Sequence, residues 1–568
     1  MTKKVSRFLI EFPIWMFVLE TISFCVGWHI TIWPFIISFA GLMSYELWKE
    51  NSKTGRYIFA AIVIVCLLFS IVIMSSLYDT SYDGQWYHSA VILLQQNGWN
   101  PFCGPIITPD TEPFGTGTHL WVSHYAKGIE TIESGFVAVT GNLESGKAYN
   151  LLLVLSMLGY IYGFLKSILP QKKKWTLIGF TLLIAANPVV INQLFTHYID
   201  YTCYVFVLIG CILIYDVIIL KNKRSVTTLL LLGFFIPSIK MNIAFWIILI
   251  MCVCLVVIWL KTRIFDKSVF IKMAAAVLLG VLVGGFNPYV TNTYLKGNVL
   301  YPLNGSKREV VERNSMPDMM WGKSRLYQAN YSLLVNPYSN DAKRHGNTHV
   351  FSVSKEDVMD SARHDVQLGG FGIFFFELIV LLLILYFTLP KSSNWKYAGV
   401  ALILLYGSLF LLPSGSLARY VPFFFLFPII IIGLALTQEK LKVFQKLLLG
   451  GGIAFISLNA FISISGVSAM VVQQKLQHDY IVKELKNYGG KVYVSSPSCQ
   501  IYDKLERADI KYTLEKPRDK QLYEIDMVGC DPIIDVPASV FKEEDQPLLM
   551  KKIKMFQLKI SEYKKKSI

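Results

Sequence analysis

Apolar runs of about twenty residues recur along this chain, and short clusters of lysine and arginine separate them. That pattern constrains the fold more than any other feature. A helical run of about twenty residues matches the ~30 Å hydrocarbon core of a bilayer, whereas a membrane β-strand would show alternating stretches of about ten. The expectation is an α-helical polytopic membrane protein. Composition agrees: 54% of residues are hydrophobic and only 16% are charged, against about 25% charged in a soluble domain. Thirteen spans are expected, at about 8–26, 30–48, 57–77, 148–169, 175–193, 201–220, 225–239, 242–260, 270–288, 371–389, 396–413, 418–437 and 447–466. The first carries Glu11 and Glu20 and no small-residue cleavage site, so a retained helix is expected there rather than a signal peptide.

The basic clusters set an orientation. Lys3, Lys4 and Arg7 precede the first span, and Lys49, Lys53 and Arg56 follow the second. Lys172 to Lys174, the group Lys221, Lys223 and Arg224, the group Lys261, Arg263 and Lys267, Lys391 with Lys396, and Lys440 to Lys446 then fall at alternate turns. All share one side, which the positive-inside rule makes cytoplasmic, with the N-terminus. The net charge of +15 is therefore a topology signal and points to no nucleic-acid partner. Three long polar segments are expected outside: 78–147, 289–370, and the tail, so that 1–469 forms a membrane module and 470–568 a small α/β extracytoplasmic domain. All nine histidines are assigned to the same side, so acid–base or metal chemistry is expected there, away from soluble nucleotides. Cys499 and Cys530 would face an oxidising compartment and are candidates for a disulfide, which spacing alone does not establish.

Several residues in the outer turns could carry chemistry. Asp83, Tyr87 and His88 lie in the first outer segment, just after Asp79. Asp79 and Asp83 are four apart and would repel on a helix face. Asp83 is a candidate base or a plain helix cap. His88 could be an acid–base partner, a metal ligand or an interfacial side chain, and the run Ala90 to Leu94 suggests a helix lying on the membrane surface. The turn NQLFTHYIDY offers His197 and Asp200, the second again a possible cap. Lys240 sits in a short outer turn, against the orientation rule, and Arg419 opens a span from outside. Each is either a tolerated or snorkelling charge or a phosphate ligand at the membrane plane. Gly141 to Lys147 fits GxxxxGK, but Ala148 replaces the Ser or Thr that would hold magnesium, so a P-loop is rejected. Carboxylates with two isolated cations at the membrane surface suit a lipid-linked phosphate, with a carboxylate deprotonating an acceptor hydroxyl.

This layout resembles the GT-C superfamily of multi-span glycosyltransferases, which use polyprenyl-phosphate-linked sugars. The string SYDGQWYHSAVILLQQNGWNPF is similar to the Asp-x-x-x-Tyr-His pattern of bacterial members of unassigned specificity, and THYIDY, SIKMN, FNPYVTNTYLKGNVLYPL and ARYVP are similar to other segments of that group. The resemblance implies Asp83 as catalytic base, Asp79 or Asp200 as supporting acids, and Lys240 and Arg419 against the donor phosphate. It implies a polyprenyl-phosphate-linked sugar as donor, a glycan or lipid as acceptor, and a site on the outer face of a bacterial plasma membrane. The chain lacks the adjacent acidic pair that the best-known members carry in the first loop, which leaves a divalent metal, Mg or Mn, as an open cofactor. Two other functions fit the same residues less well: a polysaccharide polymerase or ligase acting on diphosphate-linked oligosaccharides, and a transporter of lipid-linked glycans.

Overall fold

The structure is a computed structural model that describes residues 1–112, 117–338, 353–494, 499–514, 522–526, 533–537 and 540. It is mostly helical. Among the described residues, six helices are long and apolar enough to cross a bilayer: Thr2–Cys25, Lys53–Ser75, Leu143–Ile168, Met241–Thr262, Lys267–Gly284 and Val443–Tyr488. The expected count of thirteen is therefore too high among the described residues. The reason lies in how the apolar runs break. The run at 175–193 divides at Asn187-Pro188 into Lys174–Ala185 and Pro188–Gln193. The run at 418–437 opens with short 3-10 turns before Leu426–Leu436. The run at 225–239 gives only Lys223–Phe235 and one 3-10 turn. At 1.5 Å per residue, the 16-residue helices Trp33–Trp48 and Ser393–Ser408 reach about 24 Å, short of a ~30 Å core.

Helix Thr202–Ile218 lies at the centre of the bundle. It is apolar around its whole circumference, and such a helix has to be enclosed on all sides. Nearly all its residues are buried, including Tyr204, Phe206 and Ile209. Thr2–Cys25 packs against Ala148–Ile168 at close range: a Cβ at Gly159 would come within 1.8 Å of Ser6 Oγ, and Ser156 Oγ donates to the Ser6 carbonyl at 2.7 Å. Small residues permit this approach where no hydrophobic driving force separates helix from lipid.

Basic segments from distant parts of the chain meet at one end of the helices. Arg7 and Arg224 both reach Glu46, Lys3 pairs with Asp216 at 3.1 Å, and Lys261 Nζ donates to Asn394 Oδ1 at 2.9 Å.

The opposite ends carry the polar segments. Residues 128–140 form a helix, Gly128–Thr140. The segment expected to lie on the membrane, Ser89–Gln96, is buried within the protein on both its apolar and polar faces, so it is an internal element. Val443–Tyr488 spans 46 residues, about 69 Å at 1.5 Å per residue, and runs unbroken through position 470. It leads to a four-stranded sheet: β1 (Val492–Val494), β2 (Tyr512–Thr513), β3 (Leu522–Asp526) and β4 (Ile533–Pro537), in the order β2-β1-β4-β3. β1 and β2 are parallel, joined through helix Cys499–Arg507, and β4 runs antiparallel to both β1 and β3. The Cys499–Cys530 pairing falls outside the described residues.

Candidate functional site

The chain turns sharply between the span Lys53–Ser75 and Ser89–Gln96. Asp79 makes that turn. Its Oδ1 accepts the Ser81 backbone N–H and the Ser81 hydroxyl, each at 2.7 Å, and its Oδ2 accepts the His197 N–H at 2.8 Å. A wide π-helical turn, Gly84–His88, follows. Gly84 is required by close approach: a Cβ there would lie 2.0 Å from Asp79 Oδ2 and 2.2 Å from Ser81 Oγ. Asp83 opens this turn, yet its side chain makes no capping hydrogen bond, and its carboxylate points into a cavity.

That cavity has a volume of about 500 Å³ and is lined by Asp83, Tyr87, Lys240, Arg419 and Tyr420, with Tyr82, Trp86, Trp121, Tyr125, Tyr198, Asp365 and Gln367 among the other walls. Four of the residues singled out in the sequence thus converge: Asp83, Tyr87, Lys240 and Arg419. A fifth, Asp200, ties the cations together from behind. Its Oδ1 accepts from Lys240 Nζ at 2.9 Å, and its Oδ2 lies 3.9 Å from Arg419 Nε. Asp200 is not the helix cap, since Tyr201 occupies the N-cap position of Thr202–Ile218, and its carboxylate is spent on these cations. Asp83 Oδ2 stands 3.7 Å from Arg419 Nη1. A Cβ at Gly128 would lie 2.7 Å from the Ser238 carbonyl oxygen, a close approach that pins the Lys240 turn to the first polar segment.

Burial shapes the electrostatics. Burial alone would lower the Lys240 pKa, but Asp200 and Tyr420 more than offset it, and the ammonium is held above its ordinary value. Arg419 is likewise desolvated, and Tyr420, Tyr198, Asp200 and Asp83 keep it firmly charged. The Tyr87 and Tyr198 hydroxyls are pushed up, first by burial and then by Asp83, so both remain neutral donors. Tyr198 is central: its hydroxyl lies 3.5 Å from the Asp83 N–H and 3.5 Å from Arg419 Nη1. Arg419 Nη2 donates to the Tyr420 hydroxyl at 2.9 Å, and Lys240 sits 4.9 Å over the Tyr420 ring.

Asp79, His88 and His197 do not line the cavity. All three are fully buried behind the Asp83 turn. His88 Nδ1 is 2.6 Å from Glu130 Oε1, and His197 Nδ1 is 2.9 Å from Glu133 Oε2. The two glutamates are three apart on Gly128–Thr140 and so share one helix face. Burial lowers the His197 pKa, but Glu133 more than restores it. Lys147 of the rejected P-loop is turned inward too, paired with Glu144 at 2.7 Å and donating to the Leu77 carbonyl at 2.7 Å.

A smaller, mostly apolar chamber of about 170 Å³ adjoins the cavity and shares Lys240, Tyr125, Val311, Ser315 and Tyr420 with it. Its other walls include Met241, Leu303, Met316, Leu412 and Leu417. Among the described residues, no group of three or more His, Cys, Asp or Glu is placed to hold a metal ion. The carboxylates beside the cations are already opposed by Arg419 and Lys240.

Sequence reasoning passed over Tyr198, Tyr420, Trp86, Trp121, Tyr125 and Asp365. A signal was present for the first three, since each lies within three residues of a charged candidate: Trp86 by Asp83, Tyr198 by Asp200, and Tyr420 by Arg419. Trp121, Tyr125 and Asp365 had no such neighbour among those residues. Comparison with protein-family models and with curated proteins returns no match to this chain.

Proposed function

We propose that the protein is a membrane glycosyltransferase that moves a sugar from a polyprenyl-phosphate donor to a glycan or lipid acceptor at the outer face of a bacterial plasma membrane. The observation that carries this reading is the pairing of Asp83 with Arg419 at 3.7 Å on the wall of a cavity that Lys240 also lines. A carboxylate beside two fixed cations is what such a transfer needs. The donor phosphate sits against Lys240 and Arg419. The acceptor oxygen attacks the anomeric carbon and its proton passes to Asp83. The bond from the anomeric carbon to the phosphate oxygen breaks, and its electron pair stays on that oxygen, where the two cations and the Tyr198 and Tyr420 hydroxyls stabilise the developing charge.

Two further features support the reading. The mostly apolar chamber beside Lys240 offers a surface for the first part of a lipid tail. The stacked rings of Tyr82 and Trp86, with centroids 5.1 Å apart, give the cavity a flat aromatic wall of the kind that packs against the C–H face of a sugar.

The test is Asp83→Asn, assayed for sugar transfer in membranes with the variant present at the parent level. A general base contributes about 10²–10⁴-fold, so transfer should fall by that order. Unchanged product would remove the base assignment. Movement of an intact lipid-linked glycan across vesicles, with no new glycosidic bond, would replace the enzyme reading with a transporter.

A further inference from the structure

We infer that Gln500 and Lys504 of the C-terminal module are positioning residues for Asp83, so that this module is a working part of the membrane-embedded site. The inference rests on the reading of Asp83 as base, but its structural half stands separately. Helix Cys499–Arg507 has two faces. Ile501 and Leu505 are buried with Val492, Val494, Ile534 and Val536 against its own sheet. Gln500 and Lys504, four apart and so on one face, point instead into the first polar segment of the membrane module, where they are almost completely buried.

From there two routes reach the Asp83 turn, one on each side. Lys504 Nζ lies 3.8 Å from Glu144 Oε1 and donates to Gln500 Oε1 at 2.7 Å. Glu144 Oε2 accepts the Asp79 N–H at 3.1 Å, and Asp79 forms the turn that precedes Asp83. Gln500 Nε2 donates to Ser89 Oγ at 2.8 Å. The Ser89 hydroxyl donates to the carbonyl of Gly84 at 2.5 Å, the residue that follows Asp83. The turn is thus held before and after its carboxylate by one helix of another module.

These bonds lie out of water, so loss of either donor leaves buried acceptors that solvent does not easily satisfy. Lys504 is also desolvated enough to lower its pKa, with Glu144 opposing that shift. Its ammonium is therefore held there chiefly by the Glu144 carboxylate. Withdrawal of the helix would leave Glu144 braced by Lys147 alone and Ser89 without its Gln500 donor, loosening the turn on both sides and letting Asp83 drift from Arg419. It would leave Lys240, Asp200 and Arg419 in place, because none of them contacts the C-terminal helix through these routes.

The experiment uses the full chain in lipid nanodiscs, with Lys504→Met and Gln500→Ala. Two quantities are read: backbone hydrogen exchange over residues 79–90, and the kinetics of sugar transfer. Exchange over 79–90 should accelerate about tenfold or more, while residues 236–243 and 415–424 keep their parent rates. The kcat should fall by about 10–100-fold, since small misplacements of a reacting group have effects of that order, with no change in donor KM. Lys504→Arg should recover most of the loss. Unchanged exchange over 79–90 in both variants overturns the inference, as does a loss that appears equally in donor KM. If Lys504→Met does not fold, Gln500→Ala decides. If the parent protein transfers no sugar, the function proposed above fails, and the exchange measurement still tests the positioning.

Discussion

The carboxylate of Asp83 lies 3.7 Å from the guanidinium of Arg419, and the same guanidinium reaches Asp200 at 3.9 Å through Nε and the Tyr420 hydroxyl at 2.9 Å through Nη2. One planar group therefore addresses the Asp83 carboxylate, the buried counterion and an aromatic wall at once. Nothing about Arg419 alone required this, since an arginine at the mouth of a span is as readily a snorkelling charge.

Arg419→Lys tests whether that shape matters. A lysine keeps the charge but replaces a rigid fork with a single point of contact. Loss of one preorganised donor at a developing charge costs about 10²–10³ in kcat, so transfer should fall by about that factor while the protein still reaches the membrane. Equal activity in Arg419→Lys would mean that the guanidinium serves only as a charge.

The Lys240–Asp200 pair makes a thermodynamic prediction. Asp200 is fully buried and Lys240 nearly so. Removing one partner of a buried pair strands the other and costs about 3–5 kcal/mol. Lys240→Met and Asp200→Asn should each lower the unfolding midpoint in detergent. The double variant should be less destabilised than the sum of the two, a coupling of about 0.5–3 kcal/mol. Because Asp200 also faces Arg419, Asp200→Asn should be the more damaging of the two single changes. Strict additivity would show that the 2.9 Å contact contributes nothing.

Gly84 offers a steric test of the turn. An alanine Cβ would sit 2.0 Å from Asp79 Oδ2, so either the turn opens or the carboxylate leaves Ser81 and His197. Gly84→Ala should abolish transfer and speed proteolysis or exchange around residues 79–90. Adding Asp79→Ala removes only one of the two close contacts, since Ser81 Oγ would still lie 2.2 Å from the new Cβ, and it removes the turn as well, so the double variant should regain no activity. Full activity in Gly84→Ala would mean that the geometry of this turn does not control Asp83.

How much of this was legible beforehand differs from residue to residue. Asp83, Lys240 and Arg419 could be singled out because each breaks a local rule: an acid or an isolated cation where the membrane meets water. Their convergence was not legible, since turns separated by whole helices carry no local signal of contact. Asp79, His88 and His197 broke the same rule and yet lie behind the cavity, as a buried network with Glu130, Glu133 and Glu144. A titratable residue at such a turn can face inward or outward, and only the packing of Gly128–Thr140 decides which. The span count failed for a related reason. Hydropathy averages over a run, while Asn187-Pro188 and the 3-10 turns after Leu417 break the helix within it.

A pH dependence follows from His124, at the end of the short helix His119–His124. His124 Nδ1 donates to Asn292 Oδ1 at 2.7 Å, and burial lowers its pKa to about 4. In the unfolded chain its pKa is about 6.5. Between those values the unfolded chain binds a proton that the folded protein does not, so stability falls as pH drops from about 6.5 to about 4 and stops falling below that. His364, lowered chiefly by burial, contributes in the same direction. His197, raised by Glu133 against its burial, contributes stability below pH 6.5 that disappears as pH rises through its folded value. His124→Gln keeps a hydrogen-bonding partner for Asn292 without a titrating group. The unfolding midpoint of that variant, measured from pH 7 to pH 4, should decline less steeply than that of the parent. The two curves should meet near neutrality. Parallel curves across the whole window would mean that His124 is already protonated, or already solvated, in the folded protein.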